Sequence, residues 1–117
     1  MRVGQLREKA AAIAAERLAR EAQAEAARAA ARRRRRETEL RALMQHADQR
    51  WDAIDALARQ GTAAGYSQLV PALKELAEAY VLVGREAEFE RLLGAWAQCY
   101  TRRSALRQRL EVAGLWR

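Results

Sequence analysis

The spacing of the apolar residues changes near residue 40 and divides the chain into two parts. Beyond that point, apolar residues recur at intervals of three and four, which is the period of an amphipathic α-helix. The first set that follows this spacing is Leu40, Leu43, Met44, Ala47, Trp51, Ile54, Leu57 and Ala58. It predicts a first core helix that ends near Gly61, because glycine readily adopts the left-handed backbone that closes a helix.

Three further helices are predicted, at about residues 66–83, 86–100 and 103–112. Ser67 is the expected N-cap of the first of these, with Pro71 in or near its first turn and Gly84 after its end. The predicted buried residues of the first two are Leu69, Leu73, Leu76, Ala77, Tyr80, Val81, Phe89, Leu92, Leu93, Trp96 and Tyr100. Because no useful alternating strand pattern occurs, the sequence predicts an all-α fold.

Residues 5–35 consist almost entirely of strong helix formers but lack a wide apolar stripe. Two Glu-to-Arg pairs, Glu16 with Arg20 and Glu25 with Arg28, are expected to support this helix. We therefore predict a basic Ala/Arg-rich helical arm at residues 1–39 and a compact helical domain at residues 40–117. Since neither glycine nor proline occurs between Gln5 and Gln60, the arm and the first core helix can form one continuous helix.

The chain has 22 lysine and arginine residues against 15 acidic ones, a net charge of +7. Residues 1–60 have a net charge of +5 and residues 61–117 one of +2, and all but two of the cations are arginine. Guanidinium groups suit bidentate contact with phosphate, which makes nucleic acid a candidate partner. The candidate nucleic-acid-binding residues are Arg32, Arg33, Arg34, Arg35, Arg36, Arg102, Arg103, Arg107 and Arg109.

Five consecutive arginines on an α-helix surround it, because successive residues lie about 100° apart. Only two or three of Arg32–Arg36 can then touch one duplex, whereas all five could reach phosphates if the segment frayed. Contact would be with the DNA or RNA backbone and would not depend on base sequence. The competing interpretation is that these arginines only solvate the helix and, near Arg102–Arg109, complement a helix C-terminus.

Several other kinds of chemistry find no support. The six glycines form no phosphate-binding loop, and the single Cys99, interpreted as a packing residue, excludes a cysteine-based zinc site. We therefore expect no cofactor and no metal site. The sequence has neither an apolar run of membrane-spanning length nor a secretory signal, which predicts a cytoplasmic protein with no membrane partner.

Arg41 and His46 have the R-x4-H spacing that resembles the motif of HEPN-type ribonucleases. In that family an arginine and a histidine flank the scissile phosphate, with histidine as general base and arginine stabilising the developing charge. The resemblance implies an alternative function as a HEPN-like ribonuclease.

Residues 73–96, LKELAEAYVLVGREAEFERLLGAW, resemble a tetratricopeptide helical hairpin. A longer stretch includes GYSQLVPALKELAEAY, GREAEFERLL, YTRRSALRQRL and a terminal AGLW, and it resembles the helical C-terminal tail of bacterial SWIM zinc-finger proteins. The zinc finger itself is absent. The resemblance implies a helical interaction module associated with DNA- or protein-binding factors, and it transfers no catalytic residue.

These observations predict a non-enzymatic adaptor or accessory subunit of a larger protein or nucleoprotein assembly. Its long N-terminal helix would precede a tetratricopeptide-like helical hairpin bundle. A protein partner is expected, with phosphate contact through the arginines. The alternatives are a purely protein-binding scaffold or homo-oligomer, and the HEPN-like ribonuclease.

Overall fold

The computed structural model of the protein describes residues 2–116 and confirms that the chain is all-helical. These residues form five α-helices and no strand. The helices are α1 (Val3–Met44), α2 (Ala47–Gln60), α3 (Ala63–Leu82), α4 (Glu86–Gln98) and α5 (Ser104–Val112).

The first core helix differs from the prediction, because the chain turns at Gln45 and His46. There the N–H of Gln45 donates to Ala42 O at 3.2 Å and that of His46 to Leu43 O at 3.0 Å. Such i→i+3 bonds tighten the last turn of α1 and end it. The arm and the first core helix therefore do not form one continuous helix up to Gln60. Since neither glycine nor proline marks this turn, local sequence signals could not reveal it.

The start of α3 also differs from the prediction. The hydroxyl oxygen of Thr62, rather than that of Ser67, caps the helix by accepting the N–H of Gly65 at 3.0 Å. Pro71 consequently lies well inside α3 and not near its first turn. Because proline has no N–H, the carbonyl of Ser67 lacks the usual donor four residues ahead.

Two glycines end helices as the sequence predicted. Gly61 follows α2 with φ of 65° and Gly84 follows α3 with φ of 73°. At the second turn, the N–H of Arg85 donates to Tyr80 O at 2.8 Å. This bond satisfies a carbonyl at the end of α3 and turns the chain into α4.

The core is organised around α3, which packs against α2, α4 and α5. Its buried apolar side chains are Leu40, Leu43, Ile54, Ala58, Tyr66, Leu69, Leu73, Leu76, Ala79, Tyr80, Phe89, Tyr100, Leu106 and Leu110. Leu106 and Leu110 were not among the predicted core residues, yet both are fully buried. Val81 was predicted to be buried and is 53% exposed.

The described chain divides into two units within α1. The N-terminal unit ends at Arg36 and the core unit begins at Glu37. The apolar core belongs to the second, and all its buried side chains lie at or beyond Leu40.

Gly65 is expected to resist substitution because α2 and α3 approach closely there. A Cβ atom at this position would lie 2.8 Å from the backbone oxygen of Leu57. We expect Gly65→Ala to lower the free energy of unfolding by about 1–2 kcal/mol, because the strain of overpacking exceeds the gain in helix propensity. Chemical unfolding followed by tryptophan fluorescence measures this, since all three tryptophans lie in the core unit.

Gly94 provides the matched control for this substitution. It also lies within a helix, α4, but a Cβ atom there would meet nothing within 4 Å. At low chain concentration Gly94→Ala should raise the free energy of unfolding by about 0.5–1 kcal/mol. Equal effects of the two substitutions would contradict the close-approach explanation.

Candidate nucleic-acid interface

The arginine run lies inside α1 and is helical over its whole length. Of the two arrangements considered for this segment, frayed and helical, the structure has the helical one. Glu25, one to two turns earlier, contacts Arg28 at 3.0 Å and Arg32 at 2.9 Å. The hydrogen bond from Arg32, and to a smaller extent that from Arg28, lowers the pKa of Glu25 below its ordinary value of 4.5. The predicted pair of Glu25 with Arg28 is thus confirmed.

Many cations of the N-terminal unit have no acidic partner. The side chains of Arg33 and Arg35 form no hydrogen bond or ion pair with the residues that the structure describes. The same holds for Arg20, so the predicted pair with Glu16 does not form. Exposed guanidinium groups without a carboxylate nearby remain available to an external anion.

The boundary between the two units also separates the charge. Up to Arg36 the chain carries 11 basic and 4 acidic residues, so this segment accounts for the full net charge of +7. From Glu37 onward it carries 11 of each kind and is neutral. Counting the charge over residues 1–60 and 61–117 obscured this separation, because acidic residues of the core unit were counted with those of the arm.

The C-terminal arginines differ from the run, because three of the four contact the core. Arg107 pairs with Glu111 at 3.1 Å and lies over the ring of Trp116 at 5.5 Å. Arg102 lies exposed in the turn between α4 and α5. Arg103 immediately precedes α5, and Arg107 and Arg109 lie within it.

Tyr66 brings Arg103 and Arg109 together. Arg103 donates to Ala58 O at 3.0 Å and to the Tyr66 hydroxyl at 3.5 Å, while Arg109 lies 5.5 Å from the centre of the same ring. The hydrogen bond with Tyr66 raises the pKa of Arg103 above its ordinary value. These contacts join α5 to α2 and α3, so the two arginines stabilise the fold whether or not they also meet phosphate.

A second polar cluster, at Asp55, was missed by sequence reasoning. Its Oδ1 accepts the indole N–H of Trp96 at 3.1 Å and the hydroxyl of Tyr100, and its Oδ2 pairs with Arg59 at 2.8 Å. The rings of Trp96 and Tyr100 are 5.1 Å apart. The i,i+4 spacing of Asp55 and Arg59 indicates their ion pair in the sequence. The contacts of Asp55 with Trp96 and Tyr100 have no such signal, because these partners lie more than 40 residues away. The cluster holds α4 against α2.

The structure places the proposed ribonuclease pair at the junction of α1 and α2. Arg41 lies in the last turn of α1 and His46 in the following turn, and both are exposed. Cys99, interpreted from the sequence as a packing residue, is exposed at the end of α4. Cys99 is therefore not a buried packing residue.

Two features, a cluster of metal ligands and a membrane-spanning helix, are absent from residues 2–116. These residues contain no group of three or more histidine, cysteine, aspartate or glutamate side chains placed to hold a metal ion. Within the same residues, no helix is both long enough and apolar enough to cross a membrane. Comparisons with known protein families, with curated proteins and with solved structures gave no match.

Proposed function

We propose that the protein is a non-enzymatic accessory subunit whose N-terminal helix binds the phosphate backbone of nucleic acid. The observation that carries this proposal is the separation of charge. The segment up to Arg36 holds the whole net charge of +7, while the core unit is neutral. A neutral, packed domain joined to a strongly basic helix suits a protein that attaches one component to a polyanion.

The helical state of the arginine run favours binding without base readout. Successive side chains from Arg32 to Arg36 point about 100° apart, so they present charge in every direction. A groove-reading helix instead needs its contacts on one face. Phosphates are the ligands that such an encircling arrangement can reach, and their contacts carry no direct sequence information.

The C-terminal arginines belong to the same proposal in a smaller role. Arg102 is exposed, and Arg103, Arg107 and Arg109 keep their charge while contacting aromatic rings. We expect them to add a weak second contact with phosphate. Since they also support α5, their replacement tests stability together with binding.

The salt dependence of binding provides the decisive test. Titration of the full chain with a labelled DNA duplex should give a steep fall in affinity as salt rises. Replacing Arg32–Arg36 by glutamine should reduce the slope of log K against log salt by about 2 to 3, because each phosphate contact contributes about 0.9 and only some of the five contact one duplex. At moderate salt the affinity should fall at least about tenfold.

Two controls separate local charge from general charge. Replacing the same five residues by lysine keeps the charge and should leave the slope nearly unchanged. Replacing Arg41, Arg50 and Arg91 by glutamine removes positive charge from the core unit and should change the slope far less. An absence of binding at low salt, or a slope that does not respond to Arg32–Arg36, would reject the proposal.

The proposal includes a role for the core unit as the part that meets a protein partner. We propose that the α3–α4 pair with its glycine turn is a tetratricopeptide-like hairpin, and the relation to the SWIM-associated tail remains part of this proposal. We place the protein in the cytoplasm, where nucleic acid and its assemblies are accessible. A co-purification of the full chain that recovers neither a protein partner nor nucleic acid would argue against the accessory role.

A further inference from the structure

One exposed stripe of α3 runs along the core unit between two grooves. It consists of Ser67, Val70, Pro71, Lys74, Ala77, Glu78 and Val81, spaced three and four residues apart. This spacing puts the seven on one side of the helix. Each of them is exposed or half-buried, whereas Leu69, Leu73 and Leu76 on the opposite side face the core.

The groove beside the first half of α3 has a basic rim. It lies between α3 and α5, has a volume of about 630 Å³ and carries Lys74 and Arg109 as its charged residues. Its apolar walls include Val70 and Val112. Val112, which lines this groove, is 85% exposed.

The groove beside the second half of α3 has an acidic rim. It lies between α3, α4 and the C-terminal tail, has a volume of about 330 Å³ and carries Glu86 and Glu90. Val81, 53% exposed, forms part of its wall. Small residues, including Ala77 and Gly94, line it and leave room for an approaching helix.

Two further observations connect these grooves. Within residues 37–116, the large apolar side chains that are exposed are Val81 and Val112, one in each groove. Lys74 in the basic groove and Glu86 in the acidic one form no ion pair with any residue that the structure describes. The face formed by α3 and its two flanking grooves thus presents uncovered apolar groups together with Lys74 on α3 and Glu86 at the start of α4, two opposite charges at separate positions.

We propose that this face of α3 binds the same face of a second copy, with the two α3 helices antiparallel about a two-fold axis. In that arrangement the basic groove of each copy meets the acidic groove of the other, so Lys74 and Glu86 acquire partners. A two-fold interface requires a surface that is complementary to itself, and opposite charges in the two grooves of one face meet that requirement. Val81 and Val112 are covered at the same time.

The charge pattern favours a second copy over an unrelated partner. A different protein that filled both grooves would need its own apolar surface with reversed charges at matching positions. This chain already has that surface. The inference does not rest on nucleic-acid binding, because it involves the neutral core unit and is tested without nucleic acid.

The first test concerns the apolar part of the face. The full chain should sediment as a dimer, at twice the 13.2 kDa of one chain, at about 50 μM. Val81→Asp should raise the dissociation constant at least about 100-fold, because symmetry places two carboxylates in apolar surroundings at the interface. Leu6→Asp is the matched control, since Leu6 is equally exposed at 53% but lies in the N-terminal unit. It should leave the dimer intact.

The second test exchanges the charges. Lys74→Glu and Glu86→Lys should each raise the dissociation constant about tenfold, because each places like charges opposite one another twice per dimer. The double variant restores opposite charges and should return to within about threefold of the original. Both residues are exposed and form no ion pair with residues 2–116, so the folded monomer should tolerate the exchange.

The outcomes decide the proposal in either direction. Dissociation by Val81→Asp together with rescue by the double charge exchange supports it. A chain that remains monomeric up to about 200 μM overturns it, and so does a dimer that Leu6→Asp dissociates while Val81→Asp does not. If Val81→Asp fails to fold by tryptophan fluorescence, the charge exchange decides alone, and failure of rescue then counts against the interface.

Discussion

Leu106→Ala should lower the free energy of unfolding of the core unit by about 3 kcal/mol, the typical cost of a cavity left by a buried leucine. Leu106 is fully buried where α5 packs on α3. Since α5 has only nine residues, it cannot form a stable helix by itself and depends on this packing. A domain of this size is stable by about 4–12 kcal/mol, so the loss is a large fraction of the total.

Val112 provides the control for this prediction. It lies in the same helix but is 85% exposed, so Val112→Ala should change the free energy of unfolding by less than about 0.5 kcal/mol at low chain concentration. Chemical unfolding measured by tryptophan fluorescence reports on the core unit separately from the N-terminal unit, because all three tryptophans lie in the core unit. Similar losses for the two variants would mean that α5 is not held by the side chains that the structure places in the core.

Asp55→Ala should have an effect of similar size, a loss of about 3 kcal/mol, because two donors lose a charged acceptor. The indole N–H of Trp96 and the hydroxyl of Tyr100 both donate to Asp55 Oδ1. Their rings fix α4 against α2, so the loss should appear as reduced stability and as a changed environment of Trp96. Asp55→Asn retains an acceptor oxygen and should cost only about 1 kcal/mol.

A double-mutant cycle with Tyr100→Phe isolates the interaction between the two residues. We expect a coupling energy of about 1–2 kcal/mol between Asp55 and Tyr100, because the bond is charge-assisted and partly buried. Additive single and double substitutions would show that the hydroxyl and the carboxylate stabilise the fold independently.

Tyr100 also gives this cluster a pH signature. Burial, followed by the hydrogen bond with Asp55, raises the pKa of Tyr100 above its ordinary value of 10.0. The neutral phenol is therefore favoured in the folded state, and its contribution is fully present below pH 10.0. It is lost as the pH rises from that value through the folded pKa, since the unfolded chain then releases the proton first. Tyr100→Phe should remove this part of the alkaline loss of stability.

How far the sequence predicts this protein varies with the range of the interactions. The all-helical fold and most of the core follow from the spacing of apolar residues, and the turn at Gly84 follows from the left-handed backbone that glycine favours. Both signals extend over only a few residues. The break at Gln45–His46 was not predicted, because neither glycine nor proline marks it. The capping of α3 by Thr62 was missed although threonine is a favoured N-cap residue, because Ser67 offered the same signal five residues later. Leu106 and Leu110 were missed because a helix as short as α5 displays too little periodicity to identify its buried face.

In the candidate interface, too, local features can be predicted from the sequence and contacts between distant residues cannot. The arginine run and the overall charge are visible in the sequence, and so is the geometry of five consecutive residues on a helix. The contacts of Arg103 and Arg109 with Tyr66 are not visible there, because they join residues about 40 positions apart. The same applies to the groove residues Lys74 and Glu86, which gain meaning only when α3, α4 and α5 are assembled.

The sequence by itself determined that the chain is helical, that its core lies beyond residue 40, and that its positive charge is concentrated in a segment with no core. These properties depend on the types of neighbouring residues and on the helical period, which act locally. The tertiary structure decided where the charge divides, which arginines contact the core, and that Val81 and Val112 stay uncovered on one face of the molecule. Those properties depend on which helices meet, and packing between distant segments is not encoded in the spacing of any one of them.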